Sequence, residues 1–277
     1  MRRVLLFAAF MMSLCGMGQA DVAPQQITTT SWHGLSGLYV IPTARIVGHG
    51  RTAISYNESK HVEYIGDARF MDRQNRGTVT YGINDRLEVS ASYLTDMLSS
   101  GDGFTPALSN ENFNTFSFKY QFVTDRHGLP AVSVAVRDVA NNMQDVGPFE
   151  DVNNGLKLYM LATKRVINKK ETGRFVDATL GLTVDKQLTS GLFGVEVALS
   201  PMVSYIAEGM WDSPYLNFKG IYSGPGGTGH GDEAGRFIFD MGLRLYPDVV
   251  PGAAIDFGIV ADSQPEFSWG FSYVFGL

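Results

Sequence analysis

The residues of this chain that could do chemistry are charged side chains set at alternate positions of otherwise apolar stretches. Cations stand at Lys119, Arg137, Lys157, Arg165, Lys219, Arg236 and Arg244. Anions stand at Glu88, Asp177, Asp185, Glu196, Glu208, Asp240 and Asp256. If the apolar neighbours face lipid, these charges face a common interior, where a ring of one sign would select ions. The two signs nearly cancel, so the set reads either as a salt-bridge ladder filling a narrow lumen or as a charged permeation path.

Catalysis is tested on the same footing. Hydrolytic chemistry needs a nucleophile, a base and an orienting acid within hydrogen-bond reach. The histidines available as bases are His33, His49, His61, His127 and His230, none on the regular alternating stretches expected here. His230 sits in Gly224-Pro225-Gly226-Gly227-Thr228-Gly229-His230-Gly231-Asp232, which lacks the Lys-Ser/Thr ending of a phosphate loop and reads as a flexible loop. Scattered histidines have no metal-ligand spacing. The chain is therefore read as a non-enzyme without cofactor or metal.

The elements that must position the charges are strands. Phe116, Phe118, Tyr120 and Phe122 alternate with Thr115, Ser117, Lys119 and Gln121; Val176, Ala178, Leu180, Leu182 and Val184 alternate with Asp177, Thr179, Gly181, Thr183 and Asp185. The pattern recurs at 87–93 and 236–245. Alternation repeated along a chain, with polar or small residues on the second face, is the signature of an antiparallel transmembrane β-barrel. Twelve strands are expected, near 51–57, 76–83, 86–95, 113–123, 130–139, 155–166, 173–185, 192–209, 214–223, 235–246, 253–262 and 266–276. Fourteen result if 62–70 also pairs. Residues 192–209 are read as one long strand, because the odd-numbered apolar residues keep one phase across Pro201.

Short connections at 84–85, 124–129, 168–172, 210–213 and 247–252 then alternate with long ones at 58–75, 96–112, 140–154 and 224–234. Such an order puts the short turns and both termini in the periplasm. Inward aromatic residues are few, at Tyr159, Phe175 and Tyr246. Others fall in the expected loops, at Tyr64, Phe70, Phe104, Phe113 and Phe149.

The ends carry their own information. Residues 1–20 read as an export signal, with Arg2 and Arg3, an apolar run from Val4 to Leu14 and the small-x-small site Gly18-Gln19-Ala20. That run is too short for a spanning helix, which needs about 20 residues. Cys15 is the sole cysteine, and Leu14 before it argues against lipidation. Its loss with the signal leaves no thiol for a disulfide. Without the two signal arginines, 20 basic residues face 28 acidic ones, a net charge of −8 that argues against nucleic acid as a partner.

The last strand, Phe267 to Leu277, is large and apolar at every second residue. Ser268, Gly270, Tyr273 and Phe275 resemble the C-terminal signal by which barrels are recognised by the assembly machinery of the outer membrane. A soluble protein ending this way would expose an aggregation-prone edge.

Ahead of the first strand stands Gly34-Leu35-Ser36-Gly37-Leu38-Tyr39-Val40-Ile41-Pro42-Thr43-Ala44-Arg45, followed by Gly48 and Gly50. It resembles the opening motif of the YjbH family, in which Gly37, Pro42, Thr43, Ala44 and Arg45 are the matching positions, with vaguer similarity at Asp85-Arg86-Leu87-Glu88 and around Glu208. The resemblance implies an outer-membrane barrel linked to exopolysaccharide or capsule production and export, in the shorter form of a single barrel. It also implies a polysaccharide and periplasmic export proteins as partners, besides outer-membrane lipid. Pro42 holds Ile41 extended, and Arg45 is a multidentate donor beside the barrel mouth. The expected domains are a signal at 1–20, a plug or cap at 21–50 and the barrel at 51–277. Rival functions are a general diffusion pore and a barrel enzyme acting on lipid or cell wall.

Overall fold

The computed structural model describes residues 29–32, 34–65, 68–100, 109–125, 128–139, 156–184, 189–212, 237–261 and 265–276. The expected signal peptide with Cys15, and Asp185, Lys219, Arg236, Phe104, Phe149, His33, His127 and His230, lie outside them.

Alternation closes the chain on itself. The strands are β1 Arg51–Ile65, β2 Ala68–Asn84, β3 Leu87–Ser100, β4 Ser109–Val123, β5 Ala131–Arg137, β6 Lys157–Lys169, β7 Arg174–Val184, β8 Thr189–Ser200, β9 Val203–Asp212, β10 Phe237–Leu245, β11 Ala253–Ala261 and β12 Pro265–Gly276. Each pairs antiparallel with its sequence neighbours, and β12 pairs with β1 from Arg51↔Gly276 to Lys60↔Phe267. A closed twelve-stranded barrel results, with no free edge in the wall. That closure is what a β-structure needs in lipid, where an unpaired backbone group costs several kcal/mol. Among the described residues no helix is long and apolar enough to cross a membrane.

Tracing the registers once around the wall returns to β1 displaced by roughly 14 residues. With twelve strands, such a shear corresponds to a tilt of about 40° and a backbone radius of about 11 Å. After inward side chains are allowed for, that bore has room for little more than one further stretch of chain.

The two faces of the wall separate by chemistry. Outward stand Ile54, Val79, Tyr81, Tyr93, Phe116, Phe118, Tyr120, Phe122, Leu158, Met160, Met241, Leu243, Phe257, Ile259 and Phe271, all exposed. Inward stand Ser, Thr and charged residues that are buried, Lys119 and Glu88 completely. An apolar outer band around a polar interior is the transmembrane arrangement, the inverse of a soluble barrel.

Several expected boundaries are corrected. Residues 192–209 are a hairpin, not one strand: β8 and β9 turn at Pro201-Met202, with Ser200 opposite Val203. Proline lacks the N–H a strand interior needs, so it sits at the turn. Because β9 pairs directly with β10, Phe237 opposite Trp211, the wall closes without 214–223, which lie outside the described residues. Met210, Trp211 and Asp212 belong to β9 and lie at the opposite end from the short turns. The total of twelve strands stands with different members.

Of the expected long loops at 58–75 and 96–112, residues 58–65, 68–75, 96–100 and 109–112 are strand, and 101–108 lie outside the described residues. Residues Val62 and Phe70 do pair, as an extension of the β1–β2 hairpin in which Val62 faces Met71, so no extra strands arise. Tyr64, Phe70 and Phe113, expected in loops, therefore lie in β1, β2 and β4, and His61 lies on β1.

The C-terminal strand divides as its pattern predicts. Ser268, Gly270 and Ser272 face the buried interior, while Phe267 and Phe271 are exposed on the outer face. Tyr273 and Phe275 stack with ring centroids 5.7 Å apart.

Candidate functional site: a segment seated in the lumen

Residues 29–50 belong to no strand of the wall. They fold into a small irregular hairpin, with isolated bridges Thr30↔Ser36 and Gly37↔Pro42, and Leu38 N–H donates to Ile41 C=O at 2.9 Å. Leu35, Leu38, Tyr39, Ile41, Ala44 and Val47 are buried, as are Thr29, Ser31 and Ser36. The surface that buries them is the inner face of the barrel.

Two glycines let the chain enter. Gly48 and Gly50 have φ of +96° and +67°, a region that costs other residues strain, and they lead directly into Arg51 of β1. The Gly48 carbonyl lies so close to Gly82 that a Cβ there would stand 1.8 Å from its oxygen. Gly50 N–H donates to Gly82 C=O at 2.9 Å. Only glycine at 82 allows the two backbones this approach.

The lumen charges grip the main chain of the segment more than its side chains. Glu88 on β3 accepts Ser36 N–H and Val47 N–H, both at 2.9 Å, and also the Ser36 hydroxyl. Glu208 on β9 accepts Val40 N–H at 2.5 Å and Ile41 N–H at 2.9 Å. Lys119 on β4 donates to the carbonyls of Ser36 at 2.8 Å and Thr43 at 3.0 Å, and to the Ser36 hydroxyl. Arg244 on β10 donates to Leu38 C=O at 3.2 Å. Neutral residues complete the grip: Gln121 donates to Ala44 C=O, Thr163 accepts Ala44 N–H, and Thr80 and Ser90 both donate to Gly34 C=O. An irregular segment in a buried interior must have its amides satisfied, and the wall supplies the partners that a sheet would otherwise give.

Apolar side chains lock into dents beside these bonds. Leu35, Ile41 and Ala44 cluster with Ala131, Ala135, Tyr159, Leu161 and Leu192. Leu38 rests on Gly194 and Tyr39 on Gly258, and Val47 joins Ala53 and Val274. Burial, then the nearby carboxylates, push the Tyr39 phenol above its ordinary pKa, so it stays protonated.

Arg45 closes the arrangement at the end where the short turns lie. Its guanidinium pairs with Asp177 of β7 through both terminal nitrogens and with Asp125, beyond β4, at 3.1 Å. Burial pushes its pKa down, but the two carboxylates more than reverse this, so the charge is held. Asp177 is shared with Arg165, which pairs at 2.8 Å and lies over the Phe175 ring at 4.2 Å.

Glu88, Lys119, Arg244 and Asp256 pair with neighbours along the wall rather than across the bore, which the segment occupies. Glu88 and Lys119 are register partners 3.0 Å apart. Arg244 and its register partner Asp256 are 2.7 Å apart, with Glu196 at 3.7 Å. Arg137, Lys157 and Asp240 are also buried inward, Asp240 opposite Glu208. Tyr159 and Phe175 are buried, and Tyr246 donates to Glu196 at 2.9 Å. Of the matched motif, Thr43 and Ala44 are held through main-chain groups, Arg45 through its side chain, and Gly37 and Pro42 form the hairpin bridge.

Sequence reasoning missed several inward polar residues. Arg76, completely buried, donates to Trp32 C=O at 3.2 Å and lies 5.9 Å from its ring. Its phase with Thr78 and Thr80 could have placed it. Glu58, buried and paired with Lys60 and Arg73, was hidden by assigning 58–75 to a loop. Buried Lys164 adjoins the register shift between Arg165 and Ile167, which breaks the alternation that would have announced it. Among the described residues no cluster of His, Cys, Asp or Glu suits a metal ion, and His49 contacts the Ile83 carbonyl at 2.9 Å through Nδ1.

The wall and its contents define a membrane-spanning β-barrel with an internal segment. No protein-family model and no curated protein matches the chain. Among solved structures, an outer membrane channel from Pseudomonas putida F1 is 12% identical, with TM-score 0.48 over 92% of this chain and 100% of the other. The outer membrane protein Omp33 from Acinetobacter baumannii is 8% identical, with TM-score 0.42 over 82% and 98%. OprB from Pseudomonas putida is 8% identical, with TM-score 0.41 over 82% and 93%.

Proposed function

We propose that this chain is a non-enzymatic outer-membrane barrel of a Gram-negative bacterium, occluded at rest by residues 29–50, that serves the secretion or assembly of surface polysaccharide. It acts as a gated channel or as an accessory factor. The observation that carries this reading is one coincidence: the stretch that resembles the YjbH family, Gly34 to Arg45, is the stretch held inside the lumen by Glu88, Lys119, Glu208 and Arg244. A general diffusion pore is disfavoured, because the segment is seated by buried polar bonds to six strands of the wall and by the half-buried Arg45 bond to a seventh.

Two measurements test the two halves of the proposal. The full-length barrel in planar bilayers is expected to show little steady conductance, and a stable open pore would refute occlusion. Deleting the gene is expected to alter surface polysaccharide; unchanged polysaccharide would refute the export role and leave the occluded barrel standing.

A further inference from the structure

The turn between β10 and β11 breaks the rule that turns are polar. It reads Pro247-Asp248-Val249-Val250-Pro251-Gly252, and its Val249 is 89% exposed and Val250 44%. The neighbouring β8–β9 turn adds Met202, 46% exposed, beside Leu199 at 51%. Tyr246 N–H donates to Met202 C=O at 2.8 Å, so the two turns are joined. Prolines on both sides of the valines limit the backbone freedom that would let them fold inward, and the half-buried Tyr246 side chain anchors the base of the turn on Glu196.

This patch continues the outer apolar band. Directly along the strands stand Leu243 on β10 and Phe257 on β11, both exposed outward. Apolar residues at the end of a wall add to its hydrophobic height. Elsewhere on the same rim the β6–β7 turn carries Lys169, Lys170, Glu171 and Arg174 and offers no such extension.

We propose that Val249 and Val250, with Met202, form a lipid-seated foot: they enter the membrane leaflet at the short-turn end and extend the hydrophobic height of β8–β11. Asp248, exposed beside them, stays at the headgroup level. The occupant is lipid because the patch is continuous with the lipid-facing band and its two turns, 199–202 and 247–252, carry no Lys or Arg to recognise an anionic ligand. The foot makes the two sides of the barrel unequal in depth.

The test uses the full chain with Cys15→Ser, reconstituted in vesicles of phosphatidylethanolamine and phosphatidylglycerol, with a nitroxide at V249C or, separately, at M202C. T172C on the polar β6–β7 turn is the comparison. Collisions with oxygen, which concentrates in lipid, relative to those with a water-soluble nickel complex are expected to be on the order of tenfold higher at 249 and 202 than at 172. Equal ratios at 249, 202 and 172 would overturn the proposal and leave the patch facing water, free for a protein. V249C failing while M202C behaves as expected would also overturn the foot, because Val249 is its most exposed residue.

Discussion

Glu208 of β9 holds Ile41 of the lumen segment by its main chain, the carboxylate accepting the Ile41 N–H at 2.9 Å with both residues buried. The same carboxylate takes Val40 N–H, so one side chain satisfies two consecutive amides. Removing it would leave the buried Ile41 N–H without this partner, at about 1–3 kcal/mol, and free the half-buried Val40 N–H as well.

Glu208→Ala is therefore expected to loosen the segment while the wall persists. Frequent openings should appear in planar bilayers, and limited proteolysis should cut near Val40. Glu208→Gln, which keeps one acceptor oxygen, should fall between the variant and the parent. Silent bilayers for Glu208→Ala would contradict the role assigned to this residue.

Arg45 should behave as a latch whose shape matters as well as its charge. Its planar guanidinium reaches Asp177 and Asp125 together, which a lysine ammonium cannot reproduce. Opening frequency is expected to rise in the order parent, Arg45→Lys, Arg45→Ala. The half-exposed Asp125 contact is the part that salt screens, so the parent should open more often at 1 M than at 0.1 M salt, both on the order of common working strengths. No difference between lysine and arginine would show that charge alone suffices.

Gly82→Ala places a Cβ against the Gly48 carbonyl, where backbone meets backbone and neither can rotate away. The expected result is a closed barrel whose segment is displaced, read as unchanged heat-modifiable gel migration with raised conductance. Gly194→Ala collides with the Leu38 side-chain tip instead, at 2.3 Å. That clash is relieved by shortening the partner, so Gly194→Ala with Leu38→Ala should conduct less than Gly194→Ala alone. Simple addition of the two defects would deny the contact.

On the outer face, Phe275→Ala removes one ring of the Tyr273–Phe275 stack without touching the lumen. If the C-terminal residues serve recognition by the assembly machinery, the variant should reach the outer membrane in lower yield while the assembled fraction conducts like the parent. Normal yield would leave the aromatic pair a matter of lipid contact only.

The faces of the wall were legible because a strand repeats every two residues, so each charge between apolar neighbours had only one way to point. Glu88, Lys119, Asp177, Glu208, Arg244 and Asp256 could be assigned inward from alternation alone, and all are buried there. The same period hid the β8–β9 hairpin. The two-residue turn at Pro201-Met202 sets Ser200 opposite Val203, and the register shift between Ala198 and Ser200 then restores the parity, so Val197 lies opposite Tyr205 and the odd-numbered residues share one face whether the chain continues or reverses.

What the chain determined by itself was local: which stretches alternate, which residues share a face, and which glycines and prolines interrupt them. Tertiary structure alone decided what fills the lumen. The segment at 29–50 has no period to read, and its hold on the wall comes from pairs such as Ile41 and Glu208, separated by 167 positions. Its amides have partners only in the closed barrel, because closure brings together inward groups from strands that are distant along the chain.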